Sequence, residues 1–352
     1  MNQEKSSAIR ASMLTAALAL IPIVLLRGFT VDDAWIPARY AANLAAGAGY
    51  KMNAGGPSTD GVTPLPFAPL LSLLSGLSPR IETCWVTARW TGAVAWLLAA
   101  GVLGRHVASL GTSRRRFVPL VLLSLSAPLG AWSVAGLETG LVMALTTLAA
   151  VSLLERDEET IGVGVAGLAA AFRPELLPFA LALALSSFPL RSLIDGAHRF
   201  AALFRTLGYL TGPWLVIVVT RMIAFGSPVP LSAIAKPSDL AHGAIYVLPG
   251  ALLIAAPIFV FARHGSTRER ALVIACAAHF VAVLVAGGDW MPLWRLLTPV
   301  VPVLIAVGAH VAERSTSTAT IVRATFAFGL LRSCLGIWWV VMHLVWCPHE
   351  MR

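Results

Sequence analysis

Long apolar runs separated by short, arginine-bearing loops recur along almost the whole chain, and such runs leave a backbone few options. Inside hydrocarbon no water pairs with peptide N–H and C=O groups, so a spanning segment must satisfy them within itself, as a helix of about 20 residues does. Runs approaching that length centre on residues 11–26, 85–103, 117–132, 140–154, 161–172, 176–188, 203–223, 245–261, 271–286, 293–311 and 325–346. The composition agrees: 57% hydrophobic residues, 12% charged residues and a mean hydropathy of +0.79 are too apolar for a soluble domain. The expected fold is an all-α polytopic membrane protein, a single domain over residues 1–352 with about eleven transmembrane helices.

A net charge of +9 and a pI near 10.1 would point to nucleic acid in a soluble protein. Here Lys and Arg gather in short loops between apolar runs, where they orient the chain in the bilayer, so no nucleic-acid partner is expected. Cys84, Cys276, Cys334 and Cys347 have neither CxxC nor metal-ligand spacing and are read as packing residues. Lys5 and Arg10 precede the first run and no small-residue cleavage site follows it, so the run is read as a retained signal anchor with a cytoplasmic N-terminus. The Arg-rich loops at 105–117, 191–200, 262–270 and 312–323 must share that side. This requirement constrains "PLPFAPLLSLLSGL" at 64–77. As a full span it would put the 105–117 loop outside, and it is short and carries Pro64, Pro66 and Pro69, so it is read as an interfacial or re-entrant helix. Residues 28–79 then form one extracytoplasmic segment, with 133–140, 172–176, 225–239 and 287–295 on the same face.

That face collects the charges that are not simple loop anchors: Asp32, Asp33, Arg39, Glu138, Arg173, Glu175, Lys236, Asp289 and Arg295, with Trp35, Trp290 and Trp294 among them. Each one alone fits an interfacial anchor or a helix-end charge; Glu138 suits a helix N-terminus, and "RPE" at 173–175 suits a structural pair at a helix start. Both signs clustering together is harder to explain that way, and a carboxylate pair beside hydrocarbon costs several kcal/mol to desolvate. Gly47, Gly49, Gly55 and Gly56 mark turns; no strand precedes them, so they are not a dinucleotide fingerprint.

The stretch "DDAWIPARYAANLAAGAGYKMNAGGPSTDGVTPL" resembles the opening loop of bacterial membrane-embedded glycosyltransferases of the C type. It is most similar to the group that includes the mycobacterial terminal arabinofuranosyltransferase, with its Asp-Asp-Ala start, Arg-Tyr two turns along, Gly-x-Gly, and Asn before a Gly-rich turn. "GLETGL" at 136–141, "FRPELL" at 172–177, "FGSPVPLSAIAK" at 225–236 and "GGDWMPLWRLLTPVVP" at 287–302 follow in the family's order. The resemblance spans residues 30–302. It implies a C-type glycosyltransferase-like helical bundle whose first outer loop carries short interfacial helices. The implied donor is a polyprenyl-phosphate-linked sugar taken from the outer leaflet of the bacterial inner membrane, and the implied acceptor an extracytoplasmic glycan or lipid of the cell envelope. Two departures stand out: Pro66 replaces the more usual aromatic or polar residue, and the chain stops at "HLVWCPHEMR", so no soluble C-terminal domain is expected.

Inverting glycosyl transfer needs a carboxylate to take the acceptor hydroxyl proton, and this role is assigned to Asp33, with Asp32 as its partner. Like charges side by side raise one carboxylate's pKa and a nearby cation lowers it, so the two need not act alike. Growing charge on the leaving phosphate is assigned to Lys236, Arg295, Arg173 and Arg39. Glu138, Asp289, Trp290 and Tyr40 are assigned to the sugar or the acceptor. No cofactor is expected, and a divalent metal at Asp32 and Asp33 is the competing role for that pair. The competing function is a transporter or flippase for a lipid-linked sugar. It is disfavoured because no internal repeat is visible and the charges sit at span ends on one face.

Overall fold

The computed structural model describes residues 2–155, 159–186, 197–235, 238–254, 265–315, 317, 319–325 and 329. Among these residues all regular structure is helical. In chain order the helices are α1 (Asn2–Leu25), α2 (Trp35–Ala45), α3 (Phe67–Leu74), α4 (Ile81–Ser109), α5 (Val121–Ser124), α6 (Ala127–Val134), α7 (Thr139–Leu154), α8 (Glu159–Phe172), α9 (Leu177–Ser186), α10 (Ala197–Phe225), α11 (Leu231–Ala235), α12 (Leu240–Ile254), α13 (Thr267–Val285) and α14 (Val301–Arg314).

Three stretches, Ser6–Leu25, Ile81–Ser109 and Phe204–Phe225, are long and apolar enough to cross a membrane. A fourth crossing arises if Arg114–Ser124 and Ala127–Val134 count as one span broken by a 57° bend. The bend has a local cause. Pro128 at the start of α6 cannot donate to the preceding turn, and the Ser126 hydroxyl caps the new helix by accepting from the Leu129 amide. Thr139–Leu154, Ile161–Phe172, Pro174–Leu185 and Leu240–Ala251 are apolar but shorter. The expected span at 325–346 lies almost wholly outside the described residues.

α3 is eight residues long, too short to span. It buries Phe67 and Leu71 completely while leaving Leu73 and Leu74 exposed, and lies against α2 and α4.

Small residues let the helices cross closely, as expected where lipid supplies no drive to bury apolar side chains. At the α4–α7 crossing, a Cβ on Gly140 would lie 2.6 Å from the Gly92 carbonyl oxygen, and one on Gly92 would lie 2.5 Å from that of Ser133. α1 lies along α4, which α7 flanks in turn; α8 joins α7 to α10, and α13 packs on α9, α12 and α14.

Side-chain and backbone contacts between loops show which turns share an end of the bundle. Thr30 reaches Ala135, Trp132 reaches Leu293, Glu138 reaches Arg173 and His279 reaches Glu175 at one end. His106, Glu155, Glu269, His310, Glu313 and Arg116 meet at the other.

Candidate functional site

The motifs that stand far apart in sequence meet at the first of these ends. Asp32 and Asp33 form a short 3-10 turn that runs into α2, so their carboxylates sit where unpaired helix N–H groups favour negative charge. Asp32 is exposed and Asp33 half-buried, and the Asp33 amide donates to Asp32 Oδ1 at 2.9 Å. Among the described residues neither carboxylate has a cation within 4.0 Å. The turn is seated by Ala34, which is wholly buried against the "GLET" loop. Gly136 makes that seat: its φ of +90° is a conformation side chains rarely take, and a Cβ there would lie 3.2 Å from both Ala34 Cβ and Trp85 Nε1. Thr30 adds a hydroxyl bond of 3.1 Å to the Ala135 carbonyl.

Behind the turn lies a buried charge network. Arg173 breaks the chain between α8 and α9 with an extended backbone, and Pro174 starts the next turn. Its Nη1 meets Glu138 Oε1 and its Nε meets Glu175 Oε1, both at 2.8 Å. Arg173 is 6% exposed and Glu138 2%. Burial works against the charged form of Arg173, but Glu175, Glu138 and Asp289 outweigh it and raise its pKa. Burial likewise pushes the Glu175 carboxyl up, and the adjacent Arg173 guanidinium overcomes this to hold it below the ordinary Glu value.

The third component is "GGDWMPLWR". Asp289 pairs with Arg295 Nε at 2.7 Å, and the Arg295 guanidinium lies 5.9 Å from the centre of the Trp132 ring. The loop is irregular yet buried, so its backbone groups need partners from other helices. Trp132 donates to the Leu293 carbonyl and Trp294 to that of Tyr246, both at 3.1 Å, while the Tyr246 hydroxyl accepts from the Leu296 amide. His279 on α13 stands between this loop and "RPE", with Nδ1 2.9 Å from the Glu175 carbonyl oxygen and Nε2 2.7 Å from that of Leu296.

The remaining assigned residues occupy three settings. Arg39 is exposed, with no ion pair among the described residues; Lys236 lies outside the described residues. Tyr40 is buried and its hydroxyl meets Thr59 Oγ1 at 2.6 Å, so it shapes the 47–66 loop. Trp290 is 70% exposed and stacks on His242, ring centres 4.0 Å apart; Trp35 stacks on Trp85 at 4.8 Å, and the Arg89 guanidinium lies 4.7 Å from the Trp85 ring. Each of these two indoles is thus backed by another ring, and Trp290 is the more open of the pair, 70% exposed against 39% for Trp35. The ion pairs bring Glu138 to Arg173 and Asp289 to Arg295, while Trp290 and Tyr40 stand apart from that network. Among the described residues no group of three or more His, Cys, Asp or Glu side chains is placed to hold a metal ion.

Matched against protein-family models, curated proteins and solved structures, the chain finds no counterpart.

Sequence reasoning missed Tyr246, His279 and a second buried ion pair, Asp60 with Arg221 at 2.7 Å, which fastens the 47–66 loop to α10. Thr63 Oγ1 and Ser232 Oγ, 2.7 Å apart, add to that attachment. Burial raises the Asp60 carboxyl above its ordinary value, and the Arg221 hydrogen bond and charge only partly offset this. Asp60 Oδ1 and the nearby Tyr50 hydroxyl are both buried and have no hydrogen-bond partner among the described residues. The signal was present: Arg221 lies inside an apolar run, where a charge requires a partner.

Proposed function

We propose that the chain is an inverting glycosyltransferase that moves a sugar from a polyprenyl-phosphate-linked donor to an extracytoplasmic glycan or lipid acceptor. The observation that carries this reading is the meeting of "DDA", "GLET", "RPE" and "GGDWMPLWR" at one end of the bundle, in a region that pairs an accessible carboxylate turn with a rigid charged support. Asp33 accepts the proton of the acceptor hydroxyl as that oxygen attacks the anomeric carbon and the phosphate departs from the opposite face. Asp32 tunes its neighbour through the turn they share. Arg39 and Lys236 meet the phosphate as its charge grows, while Arg173 and Arg295 act beneath, their charge already balanced in part by Glu138, Glu175 and Asp289. Trp290 offers an exposed aromatic ring to a sugar, and Glu138 and Asp289 fix the donor pocket.

The reading includes about eleven spans in a bacterial inner membrane, a cytoplasmic N-terminus and an extracytoplasmic 28–79 segment. The purified protein, given a synthetic polyprenyl-phosphate donor with a radiolabelled sugar and a cell-envelope glycan or lipid fraction, is expected to label the acceptor. Movement of the intact donor across a vesicle membrane without transfer would instead establish a flippase.

A further inference from the structure

The opposite end of the bundle carries a second buried polar cluster that glycosyl transfer does not use. His106, near the end of α4 and 3% exposed, has Nδ1 3.0 Å from Glu155 Oε1, just past α7. Its Nε2 lies 3.0 Å from Nε2 of His310 on α14. His310 Nδ1 in turn lies 3.1 Å from Oε1 of the buried Glu269, in the first turn of α13. Four side chains from four parts of the chain make one unbranched series, Glu155–His106–His310–Glu269. The imidazole centres are 5.2 Å apart, longer than the nitrogen separation by about one ring's width, and the planes differ by 29°. The rings therefore meet end to end rather than face to face.

Counting hydrogens along this series exposes a shortage. An ionised carboxylate only accepts, so each histidine Nδ1 must carry the hydrogen that faces its glutamate. A neutral imidazole has one N–H, which leaves two bare Nε2 lone pairs pointed at each other at 3.0 Å. We propose that the series binds one further proton from water, shared between His106 Nε2 and His310 Nε2. Three hydrogens then fill three gaps, and the charge of the four groups falls from −2, two carboxylates and two neutral rings, to −1. A metal ion fits less well: two imidazole nitrogens on one tetrahedral ion, each about 2.0–2.1 Å from it, stand roughly 3.4 Å apart.

The groups facing the series work in both directions. Burial, the largest influence on His106, opposes the proton and lowers the affinity of that ring for it, as do His310, Arg105 and, through its pairing with Glu269, Arg314; Glu155 and Glu269 attract the proton, and the bond to the second Nε2 atom must outweigh burial for it to be held. Arg116 and Glu313 on the neighbouring turns meet each other at 3.5 Å. A cleft of about 370 Å³, lined in part by His310, Glu269, Arg268 and Arg314, opens beside the His310 end and gives water a route to it. Proton loss brings the two lone pairs into opposition and weakens the joint between α4 and α14, so this end of the bundle loosens as pH rises.

The test uses the full-length protein with ¹⁵N-labelled histidine in lipid nanodiscs. At pH 7, NMR is expected to show one hydrogen bridging two Nε2 nuclei, with both Nδ1 nuclei protonated, and replacement of either histidine should remove the bridge. The thermal midpoint is expected to fall by up to about 2 °C per pH unit as the proton leaves, the wild type being compared with His310→Gln, whose amide both donates and accepts without an added proton. Two unprotonated Nε2 nuclei at pH 7, or equal pH slopes in wild type and variant, would overturn the proposal. So would a midpoint that rises with Zn²⁺ and falls with EDTA, which would make the pair a metal site. If His310→Gln fails to fold, the wild-type NMR measurement still decides the matter.

Discussion

Replacing Arg173 with methionine tests the charged support beneath the Asp-Asp turn. Methionine keeps a flexible, unbranched apolar stem but removes the guanidinium that meets Glu138 and Glu175 at 2.8 Å each. Because Arg173 and Glu138 are almost wholly buried, solvent does little to screen the loss, and breaking such a pair from one side costs about 3–5 kcal/mol. Two carboxylates lose their cation together, so the upper part of that range is expected. For a chain of this size the thermal midpoint should drop by roughly 5–7 °C, which a heating series read by size-exclusion chromatography in detergent can resolve. The triple variant Glu138→Gln, Arg173→Met, Glu175→Gln carries no stranded charge at these positions and should regain at least half of the loss. A single variant within about 1 °C of wild type, or a triple variant less stable than the single one, would refute the account of this network.

Asp33→Asn preserves shape but cannot take a proton, so single-turnover sugar transfer should fall roughly 10² to 10⁴ fold with donor affinity retained, Asp32→Asn should lose less, and EDTA should leave both rates unchanged; near-normal transfer by Asp33→Asn removes it from the base role. The lowered Glu175 carboxyl contributes stability that is complete above its ordinary value of 4.5 and lost as pH falls through its lower folded value. Glu175→Gln should therefore flatten the acid limb of a midpoint-against-pH curve, and identical limbs would contradict the assignment. Gly140→Val places a side chain against the Gly92 backbone and should abolish monodisperse folded protein, whereas Gly55→Ala, in open space, should elute as wild type does.

How far each element could be read from the chain depended on where its partners lay. The run at 85–103 was visible because it is long and continuous, and the helix Ile81–Ser109 extends it at both ends through polar residues that a helix outside hydrocarbon tolerates. The run at 293–311 begins with a buried irregular loop, and helix starts only at Val301. Leu293, Trp294, Leu296 and Leu297 look helical in composition; what keeps them otherwise is hydrogen bonding to Trp132 and Tyr246, which sequence spacing does not reveal. The candidate site divides along the same line. Asp32, Asp33, Glu138, Arg173, Asp289 and Arg295 were visible as charges beside apolar runs. Asp60 hid in a turn-like "STDG", and its partner Arg221 stands 161 residues away, a pairing set by the docking of the 47–66 loop on α10.

Leu293 and Trp294 take left-handed backbone angles, φ 59° and 47°, although both carry large side chains. Each such residue costs roughly 1–2 kcal/mol against the right-handed form, so this stretch is a wound spring. Its clamps sit on separate helices: the indole of Trp132 on α6, and the carbonyl and hydroxyl of Tyr246 on α12. The spring stays wound only while α6 and α12 keep their spacing. Those two helices, distant in sequence, therefore hold between them the backbone that presents Arg295, the next residue in the chain, to Asp289.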